Sequence, residues 1–87
     1  MTLHFSTRYR REYKKLPVEI KRKVDERIRM FCADQFHPLL NNHQLGGEYV
    51  GQRSINITGD YRAIFEIQEG NAYVFSRVGT HSELYGK

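Results

Sequence analysis

Glycine is confined to one half of this chain, and that confinement limits its fold more than any other feature. All seven glycines (46, 47, 51, 59, 70, 79 and 86) lie beyond residue 45 of the 87. In a helix interior glycine costs about 1 kcal/mol relative to alanine, whereas in tight turns its freedom is wanted. The first half is therefore predicted to be helical and the second half a sheet broken by turns. Charge divides the same way. Residues 8–29 carry ten basic side chains against four acidic ones, a local +6, although the whole chain sums to only +4. A basic surface of this kind suits a polyanionic partner. Eighty-seven residues make one domain, 1–87, with a thin core and no room for a dinucleotide-binding fold or a barrel enzyme. A single cysteine, Cys32, forms no internal disulfide framework, and it is expected to be a small core or half-buried residue. No apolar run reaches the ~20 residues of a membrane span, and Met1-Thr2-Leu3-His4 opens no signal peptide. A soluble protein of the cytoplasm, with no cofactor and no metal, is the expectation.

Periodicity fills in the elements. Leu3 and Phe5 alternate with polar neighbours and suit a short opening strand. Ser6 or Thr7 can cap a first helix, on which Tyr9, Tyr13 and Leu16 share a face. Pro17 is placed to start a second helix, where Ile20, Val24, Ile28 and Phe31 continue as an apolar stripe until Pro38 closes the segment. From Glu48 the period falls to two. Arg53, Ile55 and Ile57 alternate with polar residues, and Gly59-Asp60 stands where a two-residue hairpin turn would go. Tyr61, Ala63, Phe65 and Ile67 alternate next. Gly70-Asn71 marks a second turn, and Tyr73 to Val78 a last strand. The fold class is α+β, in the order β-α-α-β-β-β with a short C-terminal helical turn, an antiparallel meander packing against the two helices.

Thr80-His81-Ser82-Glu83 matches a capping box, Thr followed three residues later by Glu. Such a box can simply close the fold. It also sets His81 at a helix start, where free N–H groups suit a phosphate and a histidine can pass a proton near neutral pH.

Three stretches carry a resemblance: Asn42-His43-Gln44-Leu45-Gly46, then Arg53 through Tyr61, and Phe75 through Tyr85 with its Gly79-Thr80-His81-x-x-Leu84-Tyr85 ending. They are similar to the RelE/ParE toxin superfamily, and to its YafQ-like branch in particular. The resemblance runs from about Phe5 to Tyr85 and implies a RelE-like fold. It also implies the toxin of a type II toxin–antitoxin system, a ribosome-dependent mRNA endonuclease neutralised by a cognate antitoxin. Its implied catalytic residues are His81, Asp60 and His43. The implied RNA-binding residues are Arg77, Asn56, Tyr61 and Tyr85, with Tyr61 in place of a family tryptophan and Tyr85 in place of a phenylalanine. Asn56 stands where better-known members carry a histidine. An asparagine still hydrogen-bonds a phosphate or a base, but it does not shuttle a proton.

Metal-free RNA cleavage through the ribose 2′-OH needs a base, positive charge at the phosphoryl group and an acid for the leaving 5′-oxygen. Asp60 or His43 is the candidate base, His81 the candidate acid, and Arg62 and Arg77 the candidate phosphate ligands. Each residue also has a plainer reading: Asp60 as a turn residue, His43 as a solvated loop histidine, Arg62 as edge charge. By alternation Arg77 shares a strand face with Tyr73 and Phe75, as a structural arginine would. Tyr61 alternates with Ala63 and Phe65 and so suits the core as well as a groove. The basic run at 8–29 suits ribosomal RNA or an acidic antitoxin segment. Two other functions stay open on the same fold. One is a ParE-like toxin that binds a protein target such as gyrase, the other a non-toxic antitoxin-binding member.

Overall fold

The computed structural model describes residues 1–86. Strand β1 (Thr2–Phe5) opens the chain, as Leu3 and Phe5 suggest. Ser6 then caps α1 (Thr7–Lys14): its Oγ accepts from the Tyr9 N–H at 3.0 Å and donates to the Ser76 carbonyl at 3.1 Å. Helix α2 (Val18–Ala33) follows, with Pro17 at its N-cap, one residue earlier than the first helical position. The helix stops at Ala33, well before Pro38. That proline instead opens a 3-10 turn, Pro38–Leu40, which His37 caps by accepting from the Leu39 N–H through Nδ1 at 3.1 Å. Cys32 is exposed, not half-buried. It lies one position beyond Phe31, and the ~100° step of a helix turns it away from the buried stripe.

The second half holds β2 (His43–Gln44), β3 (Arg53–Asn56), β4 (Tyr61–Gln68), β5 (Ala72–Thr80) and α3 (His81–Tyr85). One five-stranded sheet results, in the order β1-β5-β4-β3-β2. Strands β3, β4 and β5 form the expected antiparallel meander. Two additions make the sheet mixed: β1 lies parallel to β5, and the two-residue β2 joins β3 antiparallel. Among the described residues, no helix is long and apolar enough to cross a membrane.

Both hairpin connections are wider than two residues. At the first, the Ile57 and Thr58 N–H groups both donate to the Tyr61 carbonyl, at 2.9 and 3.2 Å. Thr58 Oγ1 accepts from the N–H groups of Asp60 (3.3 Å) and Tyr61 (3.1 Å), so a threonine hydroxyl organises the loop. At the second, Gly70 and Asn71 both adopt positive φ, +74° and +61°.

The sheet carries one irregularity with large effect. Ile64 pairs with Arg77 but Phe65 pairs with Phe75, leaving Ser76 as an extra residue in β5. A bulge of this kind reverses the facing of whatever follows it. Val78, opposite Ala63, therefore continues the buried face of Tyr73 and Phe75, and Arg77 passes to the other side. This overturns the simple alternation that groups Arg77 with Tyr73 and Phe75.

The main core lies between the helices and that buried face. Phe31 of α2, fully buried, stands among Phe65, Phe75 and Tyr73 with ring centroids 5.0, 5.3 and 5.7 Å away, each nearly edge-on. Tyr61 packs against the same cluster. Tyr9 joins it from α1, and burial, followed by the proximity of Tyr13 and Asp25, pushes its hydroxyl pKa well above the usual 10.0.

Replacing Phe31 by alanine is expected to cost about 3–5 kcal/mol, a large share of what a domain this small commands; the urea unfolding midpoint measures it. Tyr9 also sets an alkaline limit. Its phenol stays neutral when folded yet ionises above about pH 10 when unfolded, so the folded state keeps the proton and stability falls as pH rises past that point. Unfolding curves between pH 9 and 11 should show this decline, and Tyr9→Phe should reduce it.

Candidate active site

Register alone assembles most of the candidate site. His43 pairs with Ser54, Ser54 with Ile64, and Ile64 with Arg77, one row across four strands. The next row holds Asn56, Arg62 and Gly79. Directly paired side chains share a sheet face, so these polar residues occupy the face opposite Ile55, Ala63 and Val78. The bulge at Ser76 brings Arg77 into this set.

Helix α3 begins as β5 ends. Its capping box is complete: Thr80 Oγ1 accepts from the Glu83 N–H at 3.1 Å, and Glu83 Oε1 accepts from the Thr80 N–H at 2.8 Å. The Glu83 carboxylate lies over Gly79, where a Cβ would stand 2.8 Å from Oε1 and push the carboxylate off its capping position. The His81 N–H donates to the Asp60 carbonyl at 2.9 Å, tying the start of α3 to the β3–β4 loop. Tyr85 follows His81 one helical turn later, with their ring centroids 4.6 Å apart.

A shallow groove of about 290 Å³ runs between Asn41, His43, Leu45, Arg62, His81 and Tyr85. His43 Nδ1 lies 2.7 Å from the Asn41 carbonyl, in a left-handed residue (φ +46°) after the 3-10 turn. A carbonyl only accepts, so Nδ1 carries a proton, and in the neutral form of the ring Nε2 is the acceptor. Arg62 is steadied by Nη1, which donates to the carbonyls of Thr58 (2.8 Å) and Tyr61 (3.1 Å). Its Nε and Nη2 donate to nothing among the described residues. The groove thus combines a proton acceptor, a second imidazole, a guanidinium with free donors and an aromatic face. Among the described residues, no three His, Cys, Asp or Glu side chains gather closely enough to hold a metal ion.

Four expected site residues lie outside the groove lining. Asp60 is exposed in the β3–β4 loop and touches His81 through its backbone carbonyl. Tyr61 packs on the core and, with Arg77, lines a neighbouring depression beside α1. Asn56 is half-buried beside Arg62, its Oδ1 without a partner. Arg77 is held by Glu12 of α1. Its Nε and Nη2 reach Glu12 Oε2 at 3.0 and 2.7 Å, and its Nη1 donates to the Tyr49 hydroxyl at 2.8 Å. The bonds from Glu12 hold the guanidinium above even its ordinary pKa, against the opposing effect of burial. Glu12 also accepts from the Val78 N–H at 3.1 Å, on the stretch of β5 that β1 does not reach. Sequence reading missed Glu12 and Tyr49. Their only signals are a lone acid amid Arg8, Arg10, Arg11, Lys14 and Lys15, and a tyrosine flanked by Gly46, Gly47 and Gly51.

Several solved structures share this fold. YafQ from E. coli strain BL21(DE3) superposes with a TM-score of 0.77 at 19% identity, covering 97% of each chain. The YoeB/ParE toxin from Agrobacterium tumefaciens gives 0.76 at 20% identity, over 93% of this chain and 99% of that one. The toxin–antitoxin complex RelBE2 from Mycobacterium tuberculosis gives 0.69 at 30% identity, over 92% of this chain and 96% of the matched one. No curated protein matches the chain in sequence. The family described as "Bacterial toxin of type II toxin-antitoxin system, YafQ" matches residues 1–86, essentially the whole fold with its groove. The chain belongs to the YafQ family of type II toxin–antitoxin toxins.

Proposed function

We propose that this toxin is an mRNA endonuclease that cleaves message on the ribosome by general acid–base chemistry, and that an antitoxin protein holds it in check. The observation that carries the reading is the convergence of His43, Arg62, His81 and Tyr85 on one groove. His43 Nε2, left free by the bond from Nδ1, takes the proton of the ribose 2′-OH. The 2′-oxygen then bonds to phosphorus and the P–O5′ bond breaks. Protonated His81 gives its proton to the departing 5′-oxygen, leaving a 2′,3′-cyclic phosphate and a 5′-hydroxyl. The free donors of Arg62 neutralise the phosphoryl oxygens, and Asn56 in the same row supplies a hydrogen bond. Tyr85 stacks on a base, worth about 1–3 kcal/mol in single-strand binders. Asp60 secures the start of α3, Tyr61 supports the loop from the core side, and Arg77, its charge paired with Glu12, braces the sheet beneath the groove.

Acid–base help of this kind gives about 10²–10⁴-fold per group, so substrate positioning by the ribosome supplies much of the remainder. The +6 surface of residues 8–29 suits contact with ribosomal RNA. An antitoxin partner is supported by the family itself and by the related RelBE2 toxin, solved as a toxin–antitoxin complex.

Induced expression of the chain should arrest growth and fragment mRNA. His81→Ala is expected to lower cleavage by about 10²-fold or more while the protein stays folded. Arrest that persists in that variant would remove the role given to His81. DNA damage dependent on gyrase, without mRNA fragments, would replace the reading with a ParE-like one. Separately, Asn56→His restores an imidazole beside Arg62 and is expected to raise the cleavage rate on ribosomes programmed with a defined message.

A further inference from the structure

We propose that Tyr49 is a positioning residue for the groove, locking Arg77 to α3 through a single hydroxyl. Its catalytic consequence rests on the endonuclease reading above; its geometry does not. Tyr49 ends the 3-10 turn Gly47–Tyr49, flanked by Gly47 (φ +59°) and Gly51 (φ +88°). Three backbone bonds close the loop around it: Tyr49 N–H to the Gly46 carbonyl, Val50 N–H to that of Gly47, and Gln52 N–H to that of Tyr49, at 3.1, 3.1 and 2.9 Å. The side chain is thus presented from a fixed base.

The Tyr49 hydroxyl accepts from Arg77 Nη1 at 2.8 Å and donates to the Leu84 carbonyl at 2.8 Å. A guanidinium only donates and a carbonyl only accepts, so the hydroxyl proton has one direction. Leu84 lies in the last turn of α3, where carbonyls lack helical partners. Five residues do not hold themselves helical, so α3 depends on ties at both ends. The capping box and the Asp60 carbonyl secure its start; Tyr49 secures its finish. The Tyr49 ring also meets Tyr85 edge-on at 5.7 Å, and Tyr85 in turn lies against His81. A continuous chain Glu12–Arg77–Tyr49–Leu84 therefore fixes where the His81 imidazole stands relative to the sheet.

Tyr49→Phe keeps the ring contacts and removes both hydrogen bonds. In NMR spectra of the full chain, the His81 and Tyr85 ring resonances are expected to shift and the His81 titration midpoint to move. His4, on the opposite edge strand, serves as the reference that stays in place. On programmed ribosomes, kcat is expected to fall about 10- to 100-fold with KM unchanged, the effect of misplacing a reacting group rather than of losing substrate affinity. A variant with lowered thermal stability but with His81 resonances, midpoint and kcat at wild-type values overturns the proposal. Should Tyr49→Phe fail to fold, Glu12→Gln loosens the same chain at its far end. A shifted His81 there supports the proposal, and an unshifted one overturns it. If the wild-type chain cleaves no mRNA, the endonuclease reading falls by itself, and the His81 resonances alone decide the role of Tyr49.

Discussion

One surplus residue in β5 governs how the two faces of the sheet are used. Without the bulge at Ser76, strict alternation would drive Arg77 into the aromatic core beside Phe75, at the large cost of an unpaired buried charge. With it, Val78 fills the core and Arg77 lies on the polar face. A bulge leaves backbone groups off the ladder, and here they are provided for. Ser6 donates to the Ser76 carbonyl while capping α1, and the Ser76 hydroxyl lies 3.1 Å from Gln52 Oε1. Helix α1 therefore starts at the bulge itself. Six residues on, at about 1.5 Å per residue, it delivers Glu12 to the Val78 N–H and the Arg77 guanidinium. The irregularity, the helix cap and the ion pair form one construction.

That construction separates two kinds of positive charge. The arginines and lysines of α1 and α2 lie largely on solvated faces, where ion pairs such as Arg22–Glu19 are exposed and weak. Arg77 and Arg62 are different, each fixed by short hydrogen bonds, Arg62 to carbonyls of its own loop and Arg77 to Glu12, 65 positions away in the chain. The diffuse charge acts over a Debye length and fades with salt, whereas the fixed guanidinia act only on what enters beside them. A basic composition thus resolves into long-range attraction on the helices and short-range geometry on the sheet.

Much of this was legible in the residues. The glycine asymmetry and the change of period from helical to alternating give the element order, because each reports a local backbone preference. The capping box gives the helix start that carries His81 for the same reason, whereas Tyr85 was pointed to only by the family resemblance. Features set by distant partners were not legible. Strand β2 is two residues long and has no period to read. The extra residue in β5 leaves no mark in a pattern that assumes strict alternation. Glu12 and Arg77 are 65 positions apart, and the wider β3–β4 loop depends on where the Thr58 hydroxyl turns. Cys32 is exposed because the residue after Phe31 is turned about 100° around the helix from the buried stripe.

The parallel pairing of β1 with β5 bears on timing. Thr2 meets Ala72 and Phe5 meets Phe75, contacts that span about 70 positions, whereas the β4–β5 hairpin closes over a few. Closing so long a loop is entropically slow, and topologies rich in such contacts fold late relative to their hairpins. During synthesis β1 and α1 emerge first yet have nothing to dock on until β5 follows. Because α1 supplies the carboxylate that clamps Arg77, and α3 follows directly from β5, the groove is among the last parts to form. Topology alone imposes a delay between making this chain and completing its groove.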